Sequence, residues 1–261
     1  MEAIVTAGGI CAPDDPLYIL TGVEKKALLP LAGQSMIGWV VEALAGSGLI
    51  EHIVIVGLKS DEVAFQEHLP IHFVASTGNL IDNVLAGVAK TREINPAVQK
   101  ILLCSSDIPL ITPEIVRGFI AECDSQEAEV YYAIVEEKVM EARFPGSKRT
   151  FVPFKGGRYS GGDVFLLDIT ATKANVELFR ALTASRKNYL AQVRMLGFDF
   201  VIRFLLRLMT VHEAAERVRK KINLKARVVE TRFAELGMDL DKPHQYHLIK
   251  AYLEKQKAFV A

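Results

Sequence analysis

A chain of 261 residues, 50% hydrophobic and 24% charged, is long enough to build a large α/β core. Its 31 Lys and Arg residues balance 31 Asp and Glu residues, so the basic surplus of a general nucleic-acid binder is missing. The three cysteines, Cys11, Cys104 and Cys123, have no metal-ligand spacing and read as reduced thiols of a cytoplasmic protein, and MEAIVTAGG lacks the basic start of a signal peptide.

Ala3–Thr6 is the first apolar strand. A long stretch follows, TAGGICAPDDPLYILTGVEKKALLPLAGQSM, from Thr6 to Met36. The pair Gly8–Gly9 lets the backbone approach a ligand and aim N–H groups at an anion. Lys26 adds a positive charge suited to phosphate. Each feature alone also reads as a plain turn or a surface lysine; the combination is more specific.

Met36, Val40, Val41 and Leu44 give Ser35–Ala45 helical spacing, ended by Gly46–Gly48. HIVIVG, His52–Gly57, is a buried-strand pattern, Asp61–His68 reads as helical, and Ile71–Ala75 as a strand. Leu80, Ile81, Val84, Leu85 and Val88 make a helix of Asn79–Lys90. Lys100–Cys104 is another buried strand, and Thr112 caps a helix with Pro113 at its first position. Such alternation predicts a parallel sheet covered on both faces, with ligands beyond the carboxyl ends of its strands.

Further on, Glu129–Val135 reads as a strand and Glu136–Thr150 as a polar excursion. Phe151–Phe154 and Asp163–Leu167 read as strands around the turn GGRYSGG. Thr172–Lys221 is mostly helical in pattern, Ala226–Glu230 strand-like, and His244–Lys257 an amphipathic helix. The apolar run Met195–Met209 is interrupted by Asp199, Arg203 and Arg207 and is short for a membrane span. It reads as a buried or lid helix ahead of a membrane-surface one, so no stable membrane insertion is expected. An apolar acceptor or a homodimer face stays open for it.

Two acidic motifs complete the pattern. In CSSDIPLITPE, Asp107 follows a buried strand, where a carboxylate can hold Mg²⁺ or shape an Asx turn; with the opening loop on the same sheet, the metal reading is favoured. In GMDLDKPHQYHLIKAYL, Asp239 and Asp241 precede Pro243, and they read as helix-capping acids or as a second carboxylate for the same ion. Asp241, His244 and His247 have a loose D-x-x-H-x-x-H spacing, for which a solvated helix face is favoured over zinc.

The opening AGG with KALLPLAGQSM, the DIPL turn and the closing DLDKP resemble the nucleotidyltransferases like molybdenum-cofactor guanylyltransferase, within the wider group of sugar-phosphate and polyol-phosphate nucleotidyltransferases. The likeness spans nearly the whole chain. It implies a glycosyltransferase-A-like fold: an α/β, Rossmann-like three-layer sandwich with a mostly parallel central sheet and a helical insertion in the C-terminal half. It implies a single domain over 1–261, with a nucleotide-binding half at about 1–125 and an acceptor-side half at about 126–261. The loop of Ala7, Gly8 and Gly9 would wrap a nucleoside triphosphate. Lys26 matches the phosphate-contacting lysine, and Asp107 and Asp241 match the carboxylates that hold Mg²⁺. TGNLIDNVLAGV resembles the segment beside base and ribose, making Asn79 and Asn83 candidates. YSGGDVFLLD resembles the acceptor-side segment, making Gly161, Gly162 and Asp163 candidates, with a tight turn equally open.

One departure stands out. The family's loop carries a further glycine and then an arginine. Here GGICAPDDPLY has no arginine and two acids, Asp14 and Asp15. They would repel phosphate unless they point away or hold a cation, and Lys25 is the candidate substitute. The activity implied is Mg²⁺-dependent transfer of a nucleoside monophosphate from a triphosphate to a phosphate or hydroxyl of a small-molecule acceptor, releasing pyrophosphate, with Lys26 and Asp107 catalytic. No Ser-His or Cys-His nucleophile pattern competes with direct displacement. The alternatives are a glycosyltransferase using a nucleotide sugar, or a nucleotide-binding module without turnover.

Overall fold

The computed structural model describes residues 1–66, 69–123, 127–171, 198–222 and 224–260. In chain order its elements are β1 (Glu2–Thr6), α1 (Pro16–Thr21), β2 (Pro30–Leu31), β3 (Gln34–Ser35), α2 (Met36–Gly46), β4 (His52–Val56), β5 (Ile71–Val74), α3 (Leu80–Ile94), β6 (Lys100–Ser105), α4 (Pro113–Cys123), β7 (Val130–Glu136), α5 (Glu137–Arg143), β8 (Val152–Phe154), β9 (Gly157–Asp168), α6 (Phe198–Leu205), α7 (Val211–Ile222), β10 (Ala226–Glu230) and α8 (Pro243–Val260). The main sheet has the order β10-β7-β9-β6-β1-β4-β5, with β8 paired to β9.

β1, β4, β5 and β6 are mutually parallel, as their apolar, two-sided composition requires. β9 is antiparallel to both β6 and β7. That reversal positions the site. It sets the middle of β9, Gly161–Asp163, at the same sheet edge as the carboxyl ends of β1 and β6, with Cys104 opposite Val164.

Helices α2 and α4 cover one face through Val40, Leu44, Ile115 and Phe119, packed on Ala3, Val5 and Ile55. Helix α3 covers the other face over Ile4 and Val56. Gly87 permits its close approach, since a Cβ there would lie 2.7 Å from the Ile4 side chain. A third apolar cluster joins Leu17 of α1, Met140 of α5, and Tyr246 and Leu253 of α8. The predicted cap at Thr112 is present, its Oγ1 accepting from Ile115 N–H at 3.4 Å. Ser35, expected inside the helix, caps α2 instead, its Oγ accepting from Gly38 N–H at 3.2 Å.

Several expectations need correction. Of the expected helix Asp61–His68, residues 61–66 are turn and irregular chain and 67–68 lie outside the described residues; Val63 and Phe65 pack against the core from this loop. The polar excursion contains α5, whose Met140 is fully buried. GGRYSGG is a turn only at its first residue: the hairpin turns at Lys155–Gly156, where Phe154 pairs with Gly157, and β9 runs through the rest. Of the expected helical region Thr172–Lys221, residues 172–197 lie outside the described residues; α6 and α7 occupy much of the remainder. Around α6, Ile202, Leu206 and Leu208 are exposed. No described helix is long and apolar enough to cross a membrane. The three cysteines are buried and free.

Candidate active site

The site grows from the ends of β1 and β6. After Thr6 the chain stays in register for one residue, with Ala7 N–H donating to Val56 O at 2.7 Å. Ala7 is buried beneath the surface. Gly8 and Gly9 then open the wall of a cleft of about 280 Å³, which Lys26, Asn79, Asn83, Ser105, Ser106 and Asp107 also line. Gly57 makes this course possible. Its φ is 115°, and a Cβ there would stand 2.4 Å from Gly8 N, so only glycine lets β4 end against the glycine loop.

The long stretch after Gly9 is folded back rather than draped. Cys11 N–H donates to Glu24 O at 2.7 Å, and Lys26 N–H to Gly9 O at 3.0 Å, around an antiparallel bridge between Ile10 and Lys25. Inside it, Asp15 caps α1 by accepting from Leu17 N–H at 2.7 Å, Pro16 starts the helix, and Gly22 ends it at φ 68°. Asp15 thus has a local structural partner, and Asp14 is exposed. Lys25, the candidate substitute for the missing arginine, pairs with Glu62, whereas the cleft is lined by Lys26.

Lys26 enters on a turn, Lys26–Leu28, and reaches inward. Its Nζ donates to Asp107 Oδ2 at 2.7 Å and also to the Asp241 carboxylate. Burial disfavours its charged form, but the two carboxylates outweigh this and raise its pKa. Two backbone features bring Asp241 in from the far end of the chain. Leu240 N–H donates to Asp107 O at 2.9 Å, and Asp241 N–H to the buried Gln245 Oε1 at 2.9 Å. The convergence of Lys26, Asp107 and Asp241 spans 215 residues.

Asp163 stands beside this cluster. Burial, then the Asp107 charge, pushes its carboxyl up to about 7 against the lowering influence of Arg149. Arg149 pairs with the buried Asp239 and donates to Ser160 Oγ at 3.3 Å. Gly162 and Asp163 line an apolar cavity of about 390 Å³ that shares Thr6, Leu80 and Ser105 with the polar cleft. Gly161 and Gly162 have packing reasons to be small. A Cβ on Gly161 would overlap Tyr132 Oη at 1.9 Å, and one on Gly162 would meet Ala133 O at 3.0 Å and Leu236 O at 3.1 Å.

Of the expected nucleotide residues, Gly8, Gly9, Lys26, Asn79 and Asn83 share one cleft with Asp107, while Ala7 lies below it. Asn79 caps α3, accepting from Asp82 N–H at 2.9 Å. Asn83 Oδ1 accepts from Thr77 N–H at 2.7 Å and from its hydroxyl at 2.9 Å, so it braces the 76–78 loop. His244 is half-buried with Nε2 facing Ser147 O at 3.1 Å, and His247 is exposed. The sequence pattern did not single out Gly57, Ser76, Ser105, Ser106 or Arg149, and Asp239, which reads there as a capping or metal-holding acid, is instead paired with Arg149. For the serines a signal existed, in ASTG before a helix and CSSD after a strand. For Arg149 there was none, because its partner lies 90 positions away.

The donors fit a hard divalent cation. Asp107 Oδ1 is buried and has no hydrogen-bond partner, and Asp241 supplies a second carboxylate across Lys26 Nζ. Among the described residues no three His, Cys, Asp or Glu groups form a complete cage. Mg²⁺ usually takes one or two carboxylates and completes its shell with phosphates and water.

The MobA-like NTP transferase domain matches residues 20–196, and the chain belongs to that family. A hypothetical transferase from Thermus thermophilus shares 31% identity and superposes with a TM-score of 0.81, covering 94% of this chain and 100% of that one. Among curated proteins, the bifunctional protein GlmU of Geobacter metallireducens is 31% identical over 109 residues, 36% of this chain and 20% of that protein. The 2-C-methyl-D-erythritol 4-phosphate cytidylyltransferase of Saccharopolyspora erythraea is 25% identical over 100 residues, 36% of this chain and 45% of that protein. The chain thus spans less than half the length of these two curated relatives. The family match does not extend to Gly8, Gly9 or Asp241, whose place in the site rests on geometry.

Proposed function

We propose that this protein is a Mg²⁺-dependent nucleotidyltransferase, moving a nucleoside monophosphate from a triphosphate to a phosphate or hydroxyl of a small acceptor and releasing pyrophosphate. The observation that carries this reading is the meeting of Lys26, Asp107 and Asp241 beside the Gly8–Gly9 cleft. Phosphoryl-type displacement needs positioning and charge neutralisation more than a covalent catalyst.

In this reading, Gly8 and Gly9 lie along the phosphate chain, and the 76–79 loop, braced by Asn83, borders the nucleoside. Asp107 and Asp241 hold Mg²⁺, which supplies Lewis-acid polarisation of the phosphate oxygens. Lys26 neutralises charge on the pentacoordinate transition state and on the leaving pyrophosphate. The acceptor approaches from the β9 side, past Gly161, Gly162 and Asp163. Residues 1–261 act as one catalytic unit, since β7, β9 and β10 extend the sheet that carries β1 and β6. Three buried free thiols fit a reducing, cytoplasmic setting.

The test is a matrix of four nucleoside triphosphates against phosphorylated and hydroxylic acceptors, followed by pyrophosphate release with Mg²⁺ and with EDTA. One base should give acceptor-dependent pyrophosphate that EDTA abolishes. Transfer from a nucleotide sugar without pyrophosphate would replace the reading with glycosyl transfer. Nucleotide binding with no product for any acceptor would leave a binding module.

A further inference from the structure

Lys26 occupies an unusual place. Its ammonium sits between Asp107 and Asp241, the two carboxylates whose donor chemistry fits the metal. An ammonium and a divalent cation cannot both occupy that space, because two positive charges at contact distance repel strongly in a partly buried site. The side chains of Lys26 and Asp107 are only 17% and 18% exposed, whereas Asp241 is 54% exposed, so water screens the inner pair least. Lys26 also has a second place to go. It lines the same cleft as Gly8 and Gly9, and its stem runs beside Gly9, where a Cβ would lie 3.6 Å from Lys26 Cβ.

We infer that Lys26 is the resident counter-ion of the metal site and is exchanged, so that metal and triphosphate enter together. With the cleft empty, the ammonium neutralises Asp107 and Asp241 and keeps a free divalent ion out. A triphosphate offers Nζ a new anionic partner across the cleft. Moving there frees both carboxylates for the ion that accompanies the phosphates. The two ligands then favour each other by one coupling factor, because linkage is reciprocal. The exchange rests on the nucleotidyltransferase reading for the identity of the anion, and not for the competition between ammonium and metal.

The experiment is a Mn²⁺ titration of nucleotide-free protein, read by the electron paramagnetic resonance signal of free Mn²⁺. Lys26→Met should bind Mn²⁺ more tightly than wild type, on the order of tenfold, the size of ordinary coupling factors. Lys26→Gln serves as a second, polar variant, with circular dichroism checking that each is folded. Lys25→Met, whose amine pairs outside the site, should match wild type, and Asp107→Asn in the Lys26→Met background should lose the gain. Equal or weaker Mn²⁺ binding by both folded Lys26 variants overturns the exchange. If pyrophosphate release nevertheless persists in wild type and fails in Asp107→Asn, the enzymatic reading survives that loss. If neither wild type nor the Lys26 variants bind Mn²⁺, even with each triphosphate present, the exchange and the metal-dependent reading fall together.

Discussion

The two walls of the site are built on opposite plans. The wall from β1, β6 and the opening loop keeps polar groups in reserve. Asp107 Oδ1 is buried without a partner, and Lys26 bonds carboxylates beside an open cleft. The wall from β9 and the 236–239 segment is largely committed to itself. Arg149 is paired with Asp239 and Ser160, and Gly161 and Gly162 are small because neighbouring atoms leave no room. Reserve on one side suits chemistry, and commitment on the other suits holding shape. The first wall should therefore lose activity before stability when altered, and the second should lose stability first.

The largest effect should come from Asp107→Asn, which keeps size and removes charge. Its carbonyl, not its carboxylate, accepts from Leu240 N–H, so the 240–241 segment stays docked. Turnover should fall by about 10²–10³, the usual loss for an electrostatic contributor, while the melting temperature changes little. A loss of only a few-fold in pyrophosphate release would remove Asp107 from the chemistry and break the contrast.

Arg149→Met should behave in the opposite way. Arg149 and Asp239 are 13% and 12% exposed as side chains. Removing the cation leaves Asp239 buried without its partner, which costs about 3 kcal/mol when such pairs are broken. Urea unfolding should show this loss directly. Unchanged stability with lost turnover would move Arg149 to the reactive wall.

A smaller and more specific effect concerns pH. The Asp163 carboxyl is raised to about 7 in the folded protein, first by burial and then by Asp107, against about 3.9 for a free aspartate. Between those values the folded state holds a proton that the unfolded state has lost. Stability therefore falls as pH rises through that window and levels off above it. In EDTA, Asp163→Asn should flatten this slope and should be the more stable protein at neutral pH. Parallel pH curves for the two proteins would show that Asp163 does not carry the slope.

The sequence made the reserve wall easier to read than the committed one, for a physical reason. β1 and β6 are contiguous apolar runs, and Gly8, Gly9 and Asp107 follow them at once, so position in the chain implies position at the sheet edge. Gly57 was visible only as the end of HIVIVG; its role comes from a backbone 49 positions earlier. Gly161 and Gly162 looked like turn residues because glycine marks turns and close packing alike, and only Tyr132, Ala133 and Leu236 tell the two apart. Helix α1 hid inside the loop although Asp15, Pro16 and Gly22 are its cap, start and stop; the apolar spacing is too short there to show a period. Arg149 is ordinary in the sequence and Asp239 reads there as a capping or metal-holding acid; their role as a pair appears only in the fold.

The smallest expected effect tests where the reserve wall ends. Lys25 and Lys26 are neighbours, yet the chain sends them to different sides. Lys26 passes inward to Asp107 and Asp241, whereas Lys25 meets Glu62. Glu62 is fixed independently, since its Oε2 accepts from Lys59 N–H at 2.9 Å, so the 59–62 loop does not depend on Lys25 alone. The pair is half-buried but lies away from the cleft that Lys26 lines, so its loss bears on turnover weakly. Lys25→Met should leave turnover within about twofold of wild type, whereas Lys26→Met should lower it on the order of a hundredfold. Triphosphate affinity in the presence of Mg²⁺ is the measurement to set beside turnover. A Lys25 variant that loses as much affinity as the Lys26 variant would mean that Lys25 leaves Glu62 for phosphate, and the reserve wall would then extend out to the 59–62 loop.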